Sequence, residues 1–218
     1  MKTVCLISGG LDSFVSAGIA RKDGYELYGL TIDYSQKHKK EIEYAKKIAG
    51  FLNVDEHKII TIDLSFLSSA LTSRNIKIPE KPVTGIPVTY VPARNTIFIS
   101  LALAYAENIN ADAIYLGINH IDYSGYPDCR PEYIEAYQKL INIATQKTVK
   151  GGRILLKTPL VSLSKSEIIL IGNSMHLDFS LSWSCYKGEE KACGKCPSCV
   201  IRLKGFEKAG LKDPLEYK

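Results

Sequence analysis

Residues 3–24 read TVCLISGGLDSFVSAGIARKDG, and the order of residue types in that stretch decides the fold. The apolar run 3–7 has the length of a buried strand and stops at Ser-Gly-Gly. Apolar residues then recur at helical spacing until Gly24 ends the pattern. The stretch therefore reads as a strand, a tight turn and a helix. A second strand candidate at 27–32 leads into an amphipathic helix at about 39–52, and a third apolar run follows at 57–62. This β-α-β-α-β order predicts a parallel sheet with helices on both faces.

Further along, residues 74–92 are rich in Pro and Gly and are expected to form a loop reaching over the sheet edge. Helix is predicted again at about 95–108, strand at 113–117, helix at about 131–145 and strand at 154–158. Ser164 and Glu167 have capping-box spacing, so another helix should start at about Lys165. The expected fold class is α/β: a doubly wound, mainly parallel five-stranded sheet flanked by helices, with a small C-terminal element. The expected division is an α/β domain at 1–175 and a helical element at 176–218 packed on it.

With 218 residues, 45% hydrophobic and 23% charged, the composition is that of an ordinary globular chain. Such a length suffices to bury roughly 70% of the surface of the unfolded form. No apolar run approaches the ~20 residues that span a bilayer. The start MKTVCLISGG lacks the long apolar stretch and cleavage site of a signal peptide, so a cytoplasmic protein without membrane contact is expected. The net charge of +5 is mild and scattered, with KHKKE at 37–41 the densest patch. That suits anionic small substrates better than nucleic acid.

The segment SGGLDS, Ser8, Gly9, Gly10, Leu11, Asp12 and Ser13, joins the first strand to the first helix. It brings flexible backbone and the unpaired N–H groups of a helix start to the carboxyl edge of the sheet, which makes a phosphate cradle. Gly9 and Gly10 allow the sharp turn and a close approach of backbone to an anion, and Ser8 and Ser13 add hydroxyl donors. Asp12 could hold magnesium or brace the loop. The Gly-Lys-Ser/Thr ending of a Walker A loop is missing and the spacing is not GxGxxG. A plain turn followed by a helix-start acid is the alternative, and the strand before and helix after it favour the cradle. If the strand at 154–158 lies beside the first one, the Lys165 ammonium could also reach the phosphates; otherwise it is a solvated surface lysine.

Six cysteines are unevenly placed: Cys5 and Cys129 stand alone, whereas Cys185, Cys193, Cys196 and Cys199 crowd together. CGKCPSC forms a knuckle-like turn, and Cys185 adds a fourth sulfur. Four thiolates at this spacing suit tetrahedral zinc, with bonds of about 2.3 Å. An iron–sulfur cluster is the rival, but no further cysteine-rich run accompanies the motif. With no open position the zinc would be structural. Cys5, inside the first strand, reads as a core residue.

The segment GINHIDYSGYPDCRPEYI at 117–134 follows a predicted strand at the same sheet edge as SGGLDS, and is thereby aimed at the site. Its Asn119, Asp122, Tyr123, Tyr126, Asp128 and Arg130 supply donors, acceptors and ring faces suited to a planar heterocycle with polar edges. YVPARNTIF contributes Arg94 and Asn95 at a helix start, where a guanidinium could hold a carboxylate or phosphates. Cys129 has no identifiable adjacent base and reads as shaping the substrate site, not as a nucleophile.

SGGLDS resembles the SGGxDS signature of PP-loop ATP pyrophosphatases, which cleave ATP between its α and β phosphates and adenylate a substrate. Taken in order, SGGLDS, IDYSQKHKKEI, YVPARN, GINHIDYSGYPDCRPE, SWSCY and CGKCPSCVIR resemble the motif series of the 7-cyano-7-deazaguanine synthase family, the nitrile-forming ligases of queuosine biosynthesis. Ser35 departs from the series, since the family usually has Gly after the Tyr. The resemblance implies an ATP-dependent carbon–nitrogen ligase acting on 7-carboxy-7-deazaguanine and ammonium, with ATP and magnesium as co-substrate, through adenylated carboxylate and amide intermediates. It also implies a homodimer. A tRNA thiolase or lysidine synthetase of the same superfamily should carry an RNA-binding extension or a redox cysteine pair near the loop, and neither is evident. A zinc-knuckle nucleic-acid-binding module would leave SGGLDS and the 117–134 loop without a purpose.

Overall fold

Alternation along the strands decides which helix lies on which face. In the first strand, β1 (Lys2–Leu6), Val4 faces one side of the sheet and Cys5 the other. The computed structural model describes residues 1–73, 75–79, 85–121 and 125–218. From β1 the chain runs through α1 (Leu11–Lys22), β2 (Glu26–Asp33), α2 (Lys40–Phe51) and β3 (Glu56–Thr61). It then passes through α3 (Arg94–Asn108), β4 (Ala113–Tyr115), α4 (Pro131–Ala144), α5 (Gln146–Val149), β5 (Leu155–Lys157), α6 (Lys165–Ser174) and α7 (Pro197–Lys208). Among the described residues the sheet has five strands in the order β3-β2-β1-β4-β5, with every pairing parallel.

Parallel strands covered on both faces need apolar residues on both. Val4, Leu30 and Ile114 point into one core layer with Ile99 and Ala102 of α3 and Ile141 of α4. Cys5, Ala113 and Tyr115 point into the other with Phe14 of α1, Ile48 of α2 and Ile168 of α6. Cys5 is the core residue expected from its position, and burial pushes its thiol far above the ordinary range.

The strand order reverses at β1, which has β2 on one side and β4 on the other. A crevice opens at the carboxyl ends of strands where such a reversal occurs. There the chain after β4 presses against the start of α1: a Cβ at Gly117 would lie 2.6 Å from the Asp12 carbonyl carbon and the Ser13 nitrogen. Ser35, just beyond β2, has φ 63, a left-handed conformation that costs a residue with a Cβ roughly 1 kcal/mol or more. That conformation accounts for the glycine usual at this place in the motif series.

Each strand and helix expected from the sequence is present to within a few residues of its expected bounds. The capping box at α6 is present, with Ser164 accepting from the Glu167 N–H and Glu167 accepting from the Ser164 N–H. Among the described residues of the 74–92 stretch there is neither helix nor strand. α7 was not foreseen as a separate helix, although Pro197 at its first position is a start signal.

α7 packs its inner face on the sheet's second layer, where the Phe206 ring meets Phe179 edge-on at 5.4 Å. Beside it, Arg202 is clamped by Asp213, with Nε 2.8 Å from Oδ2 and Nη2 2.9 Å from Oδ1. The same guanidinium donates to the carbonyls of Phe179 and Ser182. The two side chains of the pair are only 2% and 4% exposed, so removing one member strands a buried charge. Asp213→Ala should lower the unfolding free energy by about 3–5 kcal/mol. Urea melts of both proteins measure this, and a loss within error would show that the pair is not needed to seat α7.

Candidate active site

The 8–13 loop leaves β1 and caps α1 with Gly10, whose own side gives no side-chain cap. Gly9 has φ 86, and a Cβ there would lie 2.1 Å from the Glu41 carbonyl oxygen. Both the dihedral and the lack of room require glycine. Ser13 ties the turn together: its hydroxyl donates to the Gly10 carbonyl at 2.9 Å and accepts from the Ser8 N–H at 3.1 Å. Ser8 Oγ lies 3.0 Å from Ser13 Oγ and accepts from the Gly10 N–H at 3.3 Å. The loop is thus preformed, with the first N–H groups of α1 directed at the crevice, an arrangement that suits an anion.

Lys165 is buried, not solvated, and its Nζ lies 2.6 and 2.7 Å from the two carboxylate oxygens of Asp12. β5 does not lie beside β1, because β4 stands between them. Lys165 nevertheless reaches the loop because α6 packs on α1 and Gly205 of α7 leaves space for its stem: a Cβ there would sit 2.4 Å from Lys165 Cγ. Asp12 therefore braces the loop through an ion pair. The Lys165 ammonium lines the crevice, where it can meet a phosphate.

Of the other residues singled out, Arg94, Asn95, Asn119 and Tyr126 line the crevice with the loop. Arg94 Nη1 approaches the Tyr34 hydroxyl at 3.4 Å, and its guanidinium lies against the Tyr34 and Phe98 rings. Asn119 is 1% exposed and its amide donates to the Leu160 and Leu163 carbonyls. Tyr126 shares a hydrogen bond of 2.7 Å with Thr89. Asp128 instead caps α3, accepting from the Asn95 N–H at 3.0 Å. Arg130 is exposed and donates to the Pro127 carbonyl. Neither Asp128 nor Arg130 lines the crevice. Asp122 and Tyr123 lie outside the described residues.

Cys185, Cys193, Cys196 and Cys199 are all buried, and their four sulfurs lie within 4.8 Å of one another. Tetrahedral ligation at about 2.3 Å would hold sulfurs about 3.8 Å apart, and Cys193 and Cys199 stand at 4.0 Å. N–H groups of Lys187, Cys193, Lys195 and Cys196 point at the Cys185 and Cys193 sulfurs at 3.3–3.4 Å, which favours thiolates. The group could hold a metal ion, and its chain neighbours Ser184, Tyr186 and Ser198 line the crevice.

Trp183 connects the two sites. Its N–H donates to the Gly9 carbonyl at 2.8 Å, and its ring nitrogen donates to the Cys185 carbonyl at 2.7 Å. The Lys40 ammonium lies 3.9 Å over the ring. Trp183, Tyr34, Glu41, Tyr186 and Arg202 line the crevice without having been assigned a role from sequence. All five fall within quoted motifs, but only the folded chain shows what they face.

The sequence profile of the family described as Queuosine biosynthesis protein QueC matches residues 2–210. A 7-cyano-7-deazaguanine synthase of Saccharophagus degradans is 49% identical over 219 residues, covering 99% of this chain and 97% of that one. Its counterpart in Acetivibrio thermocellus is 51% identical over 217 residues, covering 99% and 97%. Two solved structures share the fold at low identity. A predicted tRNA methyltransferase subunit from Methanocaldococcus jannaschii has a TM-score of 0.52 and 18% identity, covering 100% of this chain and 93% of that one. NMN synthetase from Francisella tularensis has a TM-score of 0.51 and 21% identity, covering 97% and 78%.

Two outcomes follow from this geometry. Lys165→Ala should raise the KM for ATP about tenfold or more in steady-state assays, since it removes a charge-assisted contact worth about 1.5–3 kcal/mol; unchanged kinetics would place the lysine outside the nucleotide site. Stripping the metal with a chelator should weaken nucleotide binding measured by calorimetry, because Trp183 hangs the Gly9 carbonyl from the cysteine element. Equal affinity of the stripped and metal-loaded proteins would show that the two sites are independent.

Proposed function

We propose, starting from the fact that the chain belongs to the Queuosine biosynthesis protein QueC family, that it converts 7-carboxy-7-deazaguanine and ammonia to 7-cyano-7-deazaguanine at the expense of ATP. The observation that carries this reading is the convergence, in one crevice, of the preformed 8–13 loop, Lys165 and Arg94, which together suit a triphosphate and a carboxylate.

A carboxylate is a poor electrophile, so it must be activated first. Its oxygen attacks the α-phosphorus of ATP and pyrophosphate leaves. The N–H groups at the start of α1 and the Lys165 ammonium stabilise the charge that develops on the phosphate oxygens. Magnesium, when bound with ATP, adds electrostatic stabilisation at the phosphates. Ammonia then displaces AMP to give the amide. Adenylation of the amide oxygen by a second ATP allows loss of AMP and a proton, which leaves the nitrile.

Arg94 and Asn95 hold the substrate end of the crevice, with Tyr126 offering a ring face and Asn119 a polar edge. The four-cysteine group holds one structural zinc. The protein acts in the cytoplasm on free ammonium, and as a homodimer, the last resting on family resemblance.

Positioning and electrostatics suffice, so no covalent nucleophile is required. Burial, reinforced by Asp128, pushes the Cys129 thiol up to about 12, and it stays protonated at neutral pH. A protonated thiol is a poor nucleophile. Cys129→Ala should therefore keep substantial turnover, whereas complete loss with intact folding would establish covalent catalysis. Incubation with ATP, magnesium, ammonium and 7-carboxy-7-deazaguanine should give nitrile and AMP by mass spectrometry. Absence of both products from folded, metal-loaded protein would overturn the assignment.

A further inference from the structure

Glu41 is a carboxylate in a crevice otherwise built for anions. It sits in the first turn of α2, with its backbone carbonyl against Gly9, and its residue lines the crevice beside Ser8, Gly10, Tyr34, Arg94 and Phe98. The other crevice carboxylate is Asp12, held by Lys165. The Glu41 carboxylate has neither a hydrogen bond nor an ion pair among the described residues, although the Arg94 guanidinium is near enough to act on it electrostatically.

A negative group at this place repels both the triphosphate and the substrate carboxylate unless a cation or a set of donors comes between them. The reaction proposed above has one small cationic reactant, ammonium, which is not nucleophilic until it has lost a proton. We propose that Glu41 captures ammonium in the crevice and accepts its proton, so that ammonia is released beside the adenylated carboxylate. This rests on the reading of the chain as a nitrile-forming ligase.

The step balances. Ammonium and the Glu41 carboxylate give ammonia and the carboxylic acid. The nitrogen lone pair forms the C–N bond, the C–O bond to AMP breaks, and AMP takes the electron pair. The nitrogen then sheds one further proton to solvent, leaving a neutral amide. Burial pushes the Glu41 carboxyl up to about 7, so that it is a usable base near neutrality. The titratable and charged groups close enough to act on it are Arg94 of α3, Tyr34 beyond β2 and Cys185 of the C-terminal element. Arg94 favours the ionised form of Glu41.

The test is Glu41→Gln in the metal-loaded protein, with three measurements. ATP–pyrophosphate exchange with 7-carboxy-7-deazaguanine, which needs no ammonia, should stay within about twofold of the parent protein. With ammonium chloride added, kcat/KM for ammonium should fall about 100-fold or more. In the parent protein this constant should rise through about pH 7 as Glu41 ionises and then flatten. In the variant it should keep climbing, about tenfold per pH unit, because only free ammonia from solution remains to react. An unchanged ammonium constant would overturn the proposal, as would a loss of exchange with a raised KM for the deazaguanine or for ATP. Absence of exchange in the parent protein would overturn the functional reading itself.

Discussion

Two places where no side chain fits hold the crevice together. A methyl at Gly9 would run into the Glu41 carbonyl, and one at Gly117 would run into the backbone of Asp12 and Ser13. These contacts bring the start of α1, the start of α2 and the end of β4 to one point at the reversal of strand order. Backbone N–H groups then converge on one volume, and side chains from three different elements can share it. An anion site made from backbone depends on such approach distances, because partial charges on peptide groups act only at short range.

The cysteine element is a second condition on the same volume. α7 offers Gly205 to the stem of Lys165, and Trp183 reaches from Cys185 to the Gly9 carbonyl. Arg202 ties the segment around Ser182 to Asp213 through a fully hydrogen-bonded guanidinium. A metal held by the four cysteines would stiffen the segment that carries Trp183, Ser184 and Tyr186 to the crevice. Stiff walls matter where positioning supplies most of the rate, since small misplacements are costly there.

Charge is distributed to match. Lys165 and Arg94 face the crevice, while Asp12 and Asp128 are engaged by neighbouring groups and add no free negative charge. Glu41 is the exception, and its carboxyl is half-neutral near pH 7 because burial penalises the charged form. Cys129 responds to the same burial but is held much further from ionisation. Two acidic groups in one crevice thus serve different ends through environment alone.

Strands and helices were legible in the sequence because their hydrophobic periods are local: 3–7 and 27–32 read as buried strands, and Ser164 with Glu167 announced α6. The 8–13 loop and the four cysteines were legible for the same reason, since each is one short run of residue types bound to one chemistry. What required tertiary structure was every pairing across distant segments. Lys165 meets Asp12 through a helix packed from beyond β5, Asp128 caps α3 from 33 residues away, and Trp183 bonds to Gly9. Glu41 had seemed only a charge in a basic patch. Such contacts are set by which helix covers which face and by the room glycines leave, and periodicity within one segment carries no information about either. The sequence by itself determined the five strands, most of the helices, the loop and the ligand set; only packing decided which side chains share the crevice.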